Sequence, residues 1–152
     1  MEIIKDLISN KPLIIAAIAW FVSGILKVLV ELRVYKRLSL KRVMGAGGMP
    51  SSHTATVVAL MVSLGAFDSL KSPVFALAVI FTIVVIHDAV GVRLETGKQS
   101  KVLNAIINET ETFKELDFET QLKEYVGHTP SQALMGAIVG LIVALVGIVI
   151  SG

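Results

Sequence analysis

The sequence predicts an all-α fold, an integral membrane helical bundle with about four spans and one amphipathic helix, and three observations carry that reading. Of the 152 residues, 54% are hydrophobic and only 17% are charged, and the mean hydropathy is +0.77. A soluble domain holds about 45–50% apolar residues even with glycine counted. Aromatic residues make up only 6%, so the apolar content is mostly Ala, Val, Ile and Leu, and it falls in long blocks rather than strand-like alternation. The four prolines, Pro12, Pro50, Pro73 and Pro130, each stand at the start of one of these blocks. A first helical turn tolerates proline because its missing N–H has no use there.

The first block, Pro12 to Val30, is broken only by Ser23, Gly24 and Lys27. As a helix it extends roughly 28 Å at about 1.5 Å per residue, close to a hydrocarbon core of about 30 Å. Residues 31–42 follow with five basic residues against one acid, and then the glycine-rich MGAGGMPSSHT. The second block, Thr54 to Phe67, is short alone. A helix start at Pro50 or Ser51 lengthens it and puts Ser51, Ser52 and His53 in its first turn.

The turn DSLKS then leads into the third block, Pro73 to Ile86, making a tight helical hairpin. The last block, Ser131 to Ile150, carries no charge and reads as the fourth span. Between the third and fourth blocks lies the polar stretch 91–127. Its Val102, Leu103, Ile106, Ile107, Thr110, Phe113 and Leu116 recur at three- and four-residue steps, predicting an amphipathic helix that packs on the bundle or lies in the interface. Residues 1–152 are expected to form a single domain.

The N-terminal MEIIKDLISNKP has two acids in its first six residues and lacks a cleavage signature, so the first apolar block reads as a retained span rather than a signal peptide. With no cysteine, disulfides, a thiolate nucleophile and a Cys-based metal centre are all excluded.

Basic residues outside the blocks set the expected topology. Arg33, Lys36, Arg37, Lys41 and Arg42 lie in one long connection and Arg93, Lys98, Lys101, Lys114 and Lys123 in the other, while the opposite face has only Lys5, Lys11 and Lys71. Both long connections are therefore expected in the cytoplasm and both termini outside. The expected location is the plasma membrane of a prokaryote.

That topology gathers three polar motifs, GGMPSSHT at 47–54, HDAVGVR at 87–93 and GHTPSQ at 127–132, at one membrane face. His53, His87 and His128 come with them, and ionisable groups near lipid are expensive unless paired or functional. Gly47 and Gly48 permit a tight turn whose N–H groups, with Ser51, Ser52 and the helix start, suit phosphate oxygens. Capping alone accounts for one of the two serines. His53 is suited to protonating a leaving alkoxide, and a neutral His128, next to Thr129 and a helix start, to attacking phosphorus.

GGMPSSHTA, DAVGVRLETGKQSKVLN and GHTPSQALMG together resemble the divergent PAP2 family, a relative of the PAP2 acid phosphatases. The resemblance implies a helical membrane protein related to metal-independent phosphatases of phosphate monoesters, often lipid-linked. In the broader family a Pro-Ser-Gly-His motif contacts phosphate and supplies the acid histidine; Pro50, Ser51, Ser52 and His53 match it with serine in place of glycine. In the later motif Gly127, His128 and Gly136 match, while Gln132 replaces an aspartate. Gln132 can orient His128 through its carbonyl oxygen but supplies no charge, leaving Asp88 or Glu95 to compensate if the fold brings one near. The usual arginine before the nucleophile is missing, which makes Arg93 the alternative phosphate clamp, and Lys27 resembles the early family lysine. Asp88 is placed to pair with Arg93 or orient a histidine.

The leading expectation is a phosphatase that acts on a membrane or lipid-linked phosphate through a phosphohistidine at His128. The alternative is a non-catalytic phosphate- or lipid-binding protein with a structural or interaction role. Membrane lipids are the expected partners. No short metal-ligand spacing accompanies the histidines, so no metal or other cofactor is expected. The basic run lacks aromatic platforms, which argues against nucleic acid. Gly136 and Gly140 offer a close helix contact, either inside one subunit or in a homo-oligomer.

Overall fold

The computed structural model describes residues 2–36, 48–109, 122, 124 and 126–152. Six α-helices run through the described residues: α1 Glu2–Ser9, α2 Lys11–Tyr35, α3 Ser52–Phe67, α4 Pro73–Val90, α5 Val92–Glu109 and α6 Pro130–Ser151. The helix starts follow from local hydrogen bonding. Asn10 accepts the Leu13 N–H at 3.1 Å before α2, Ser72 accepts the Phe75 N–H at 3.0 Å before α4, and Thr129 caps α6. Each supplies an acceptor to a backbone donor that the helix itself leaves unused. Pro73 and Pro130 open their helices. Pro50 instead precedes Ser51, the cap of α3, so the helix begins at Ser52 rather than at Pro50 or Ser51.

Three helical stretches have the length and composition of a membrane span: Lys11–Val34, Pro73–Glu109 and Pro130–Ser151. The fourth apolar helix, α3, has 16 residues, or about 24 Å. Its shortness matters less than it would on the periphery, because α3 lies at the centre and packs on α2, α4 and α6. The lipid-facing work falls to its neighbours, whose Trp20, Phe21, Leu77, Phe81 and Ile142 point outward.

The helices alternate in direction. Lys11 Nζ donates to the Ser151 carbonyl at 2.5 Å and lies 5.0 Å over the Phe67 ring, which puts the start of α2 and the ends of α3 and α6 together. At the opposite end the Ser51 N–H donates to the Gln132 carbonyl at 3.1 Å, and the His128 N–H to the Ala89 carbonyl at 3.0 Å. The segments bearing the three polar motifs thus share the end away from the termini.

Small side chains fill the interior. Ala16 and Ala19 of α2, Ala55 and Ala59 of α3 and Ala133 and Ala144 of α6 are buried, with Ile15 the largest side chain in the central cluster. Lipid tails are as apolar as leucine, so helices in a bilayer gain more from close van der Waals approach than from burying large apolar groups. The α3–α6 contact has this form: a Cβ at Gly136 would lie 2.4 Å from the Ser51 carbonyl oxygen, and one at Gly140 2.4 Å from that of Ala55. The glycine pair is thus used inside the subunit. Buried hydroxyls stay satisfied, Ser63 by the Ala59 carbonyl and Thr82 of α4 by the Val57 carbonyl of α3.

Two elements depart from the sequence expectation. α1 was not foreseen as a helix; its Ile3, Ile4, Leu7 and Ile8 are exposed beside Glu2, Lys5 and Asp6. The amphipathic helix exists as α5, but its buried side is Gly97, Ser100 and Asn104, while Val102, Leu103 and Ile106 face outward. Small and polar groups allow the following chain to lie against the helix, and larger aliphatic groups would hold it off. Thr110, Phe113 and Leu116 of the expected stripe lie outside the described residues, as does Gly47.

Gly140→Ala is expected to destabilise the bundle by about 1–3 kcal/mol through overpacking, seen as a lower thermal midpoint in detergent. Gly24→Ala, where an added Cβ meets nothing within 4 Å, should leave the midpoint unchanged or raise it.

Candidate functional site

The site starts from two helix beginnings. His53 stands in the first turn of α3, and His128 lies two residues before α6. The Gly136 and Gly140 contact fixes these helices side by side, and the imidazole centroids come within 6.3 Å at an interplanar angle of 58°. His53 is exposed, whereas His128 is 2% exposed. One ring of the pair thus meets solvent and the other is enclosed.

His128 is held at both ends of the residue. Its backbone N–H bonds to the Ala89 carbonyl in the last turn of α4, and its Nδ1 lies 3.3 Å from Gln132 Oε1. Gln132 Oε1 also accepts the Thr129 N–H at 3.1 Å, and the Thr129 hydroxyl accepts the Gln132 N–H at 3.4 Å, forming a reciprocal cap. An amide oxygen only accepts, so the proton of a neutral His128 belongs on Nδ1 and the lone pair on Nε2. Nε2 is buried and has no hydrogen-bond partner among the described residues. Burial pushes the His128 imidazole below the ordinary histidine range, with Lys27 and His53 acting the same way, while the Gln132 contact and the nearby Gly48 backbone oppose it.

A cavity of about 120 Å³ opens beside the two rings, lined by His53, Val85, Asp88, Ala89, Arg93, Val126 and His128. A single water needs only roughly 10–15 Å³ by the same kind of measure, so the space admits a larger polar group. Arg93, at the start of α5, pairs through Nε with Asp88 Oδ2, and both side chains are partly exposed. The pairing of Asp88 with Arg93 follows from the helix break at Gly91, which turns α5 so that the two side chains meet across the junction.

The remaining predicted residues surround this cavity without lining it. Lys27 of α2 is 4% exposed, and its aliphatic stem runs beneath Gly48, where a Cβ would lie 3.3 Å from Lys27 Cδ. Gly48 has φ +89°, a conformation that glycine accommodates best. Lys27 lies within electrostatic reach of both histidines, and Arg93 of His53. Ser51 is fully buried, its hydroxyl engaged with the Thr54 N–H and hydroxyl at 3.3 and 3.1 Å, and Ser52 is buried beside it. The Ser51 side chain serves the start of α3, and neither serine borders the cavity. Glu95 pairs with Lys98 at 2.7 Å on the exposed side of α5 and does not compensate for the neutral Gln132. His87 is exposed and outside the cavity lining. No group of three His, Cys, Asp or Glu side chains suited to a metal ion occurs among the described residues.

Sequence reasoning missed several contributors, the lining residue Val85 among them. Glu31, buried one turn after Lys27, is within electrostatic reach of it, and the i,i+4 spacing of opposite charges in an apolar helix was the available signal. Val126 and the Ala89 carbonyl left no sequence signal. Asn104, remote from the cavity, bonds to the backbone of the segment leading to His128.

Comparison with known proteins agrees with the architecture. Residues 8–143 match the family described as the Divergent PAP2 family. The uncharacterized membrane protein YuiD of Bacillus subtilis (strain 168) is 33% identical over 151 residues, covering 93% of this chain and 96% of the relative. No solved structure shows significant similarity. The family match runs through α2, α3, α4, α5 and most of α6, and so through every residue that lines the cavity; the chain belongs to the divergent PAP2 family.

Proposed function

We propose that the protein is a metal-independent phosphomonoester hydrolase that takes a membrane or lipid-linked phosphate and forms a phosphohistidine on His128. The observation that supports this reading is that His128, whose buried Nε2 has no hydrogen-bond partner among the described residues, lines a cavity with His53 and Arg93. A bare imidazole nitrogen held by a hydrogen bond on its other nitrogen is a nucleophile ready to attack. Membership of a family related to the PAP2 phosphatases supports the same chemistry.

In this mechanism Nε2 attacks phosphorus, the ester P–O bond breaks, and the leaving oxygen takes a proton from His53. His53 then removes a proton from water, the hydroxide attacks phosphorus, and the P–N bond breaks to release phosphate and free Nε2. The exposure of His53 suits this role, because the departing alcohol leaves from the open side. Arg93 and Lys27 supply positive charge to phosphoryl oxygens, and the Gly48 turn and start of α3 contribute backbone donors. Asp88 competes for Arg93, and Gln132 supports a positively charged His128 less well than a carboxylate. These two features favour the second reading, a non-catalytic phosphate- or lipid-binding protein. The site is proposed to face the cytoplasm of a prokaryotic cell, with both termini outside.

Purified protein in detergent, given soluble and polyprenyl or glycerolipid phosphomonoesters with a chelator present, should release phosphate. His128→Ala should reduce release to background while the protein stays folded, and His53→Ala should slow it by about 10²–10⁴-fold, most for poor leaving groups. No release across the panel, together with phosphate binding lost on Arg93→Ala, establishes the binding reading instead.

Because the nucleophile must be neutral and burial lowers its pKa, the acid limb of kcat/KM assigned to His128 should fall below the ordinary histidine value of 6.5. Activity then persists into mildly acidic solution and is lost as pH drops through that limb. Gln132→Asp should shift the limb upward, since a carboxylate favours the protonated ring, and should preserve or raise turnover at neutral pH.

The absence of native cysteine makes single-cysteine labelling clean. In intact oriented cells, cysteine at Lys5 should label readily, and cysteine at Lys36 or Lys98 only after permeabilisation. The reverse pattern would invert the proposed topology.

A further inference from the structure

We propose that Asn104 is a positioning residue for His128, acting through Leu122, Glu124 and Gly127, which precede it; the proposal rests on the role given to His128 above. Asn104 is 6% exposed and lies on α5 well away from the cavity lining. Its side chain reads the Leu122 backbone in both directions: Nδ2 donates to the Leu122 carbonyl at 3.0 Å, and Oδ1 accepts the Leu122 N–H at 3.0 Å. Nδ2 also donates to Glu124 Oε1 at 2.9 Å. Such a two-way bond to the backbone of one residue is specific to an amide, because it needs a donor and an acceptor side by side.

The contacts continue in order toward the site. A Cβ at Gly97 would lie 2.4 Å from the Glu124 carbonyl oxygen, and a Cβ at Gly127 2.2 Å from the Leu94 nitrogen. The His128 N–H then reaches the Ala89 carbonyl. The described residues Leu122, Glu124 and Gly127 therefore meet α5 in antiparallel order, at Asn104, Gly97 and Leu94, and His128 follows.

Asn104 supplies the hydrogen bonds of this seam, whereas Gly97 and Gly127 supply only close approach. Without Asn104, the carbonyl and N–H of Leu122 lose their partners on α5, and the fit of Gly127 against Leu94, next to His128, loosens with them. The ring then loses its fixed approach to Gln132. A loss of alignment at a reacting atom costs turnover much more than ground-state binding.

The test compares Asn104→Ala, the longer amide Asn104→Gln, and the control Gln99→Ala, an exposed residue on the same helix. Glutamine keeps a donor and an acceptor side by side. Asn104→Ala should lower kcat by about 10²-fold with KM within about threefold, at a melting midpoint in detergent close to that of wild type; Asn104→Gln should recover at least about tenfold of this loss. Gln99→Ala should behave as wild type.

Imidazole ¹⁵N spectra, with His128 assigned by comparison with His128→Ala, provide a readout independent of turnover. Wild type should show the Nδ1–H tautomer with a bare Nε2, and Asn104→Ala should show the two nitrogens averaging. Failure of wild type to release phosphate would overturn the hydrolase reading alone, and the spectra would still decide the positioning. Unchanged His128 spectra in Asn104→Ala, or a kcat loss that Asn104→Gln does not relieve and that tracks the fraction of unfolded protein, would overturn the proposal.

Discussion

The approach of α6 to α3 through Gly136 and Gly140 is the constraint on which the rest of the molecule depends. Each glycine faces a carbonyl of α3 at a distance that a methyl group would not fit. That contact sets the register between the two helices, and the Ser51 N–H to Gln132 carbonyl bond locks it at the site end. With the register fixed, the residues before α6 meet the first turn of α3, and the histidine pair follows. α2 and α4 then pack on α3 from other sides, bringing Lys27 and the Ala89 carbonyl toward the same end.

His128 illustrates how neutral hydrogen bonding substitutes for charge. A carboxylate at position 132 would orient the ring and stabilise its protonated form together. Gln132 separates these effects: its oxygen fixes the tautomer while contributing no net charge. The carboxylate that lines the cavity with the pair is Asp88, but it is bonded to Arg93. The cavity thus sets a buried imidazole beside an arginine, the arrangement that the proposed phosphoryl transfer would use.

Much of the fold was legible because its signals are local. Apolar block length and the prolines lie within a few positions of the helix starts they mark; Asn10, Ser72 and Thr129 are equally local but were not singled out as caps in the sequence. The meeting of His53 and His128 was also legible, since alternation of spans puts both motifs at one end. The orientation of α5 was not. Its aliphatic residues suggested the buried side, but the groups that pack on it are the backbone of Leu122 and Glu124, whose approach needs Asn104 and Gly97. Nor could the sequence reveal that Ser51 turns its hydroxyl to Thr54, because the choice between capping and ligand contact depends on burial. α1 was missed because eight residues give too short a stretch for its alternating charges and isoleucines to stand out.

The scarcity of bulky groups in the interior has an entropic consequence. Alanine and glycine lose no rotamer freedom when they are buried, whereas long aliphatic and charged side chains each lose up to about 2 kcal/mol. The α2–α3–α6 centre is made chiefly of residues with few or no rotamers, at Ala16, Ala19, Ala55, Ala59, Gly136, Gly140 and Ala144. Assembling it therefore costs mainly backbone order, much of which each helix has already given up in forming. The bundle can hold a well-defined centre with modest attractive forces, and its longer, freer side chains are left at the lipid boundary, where disorder carries no penalty for the fold.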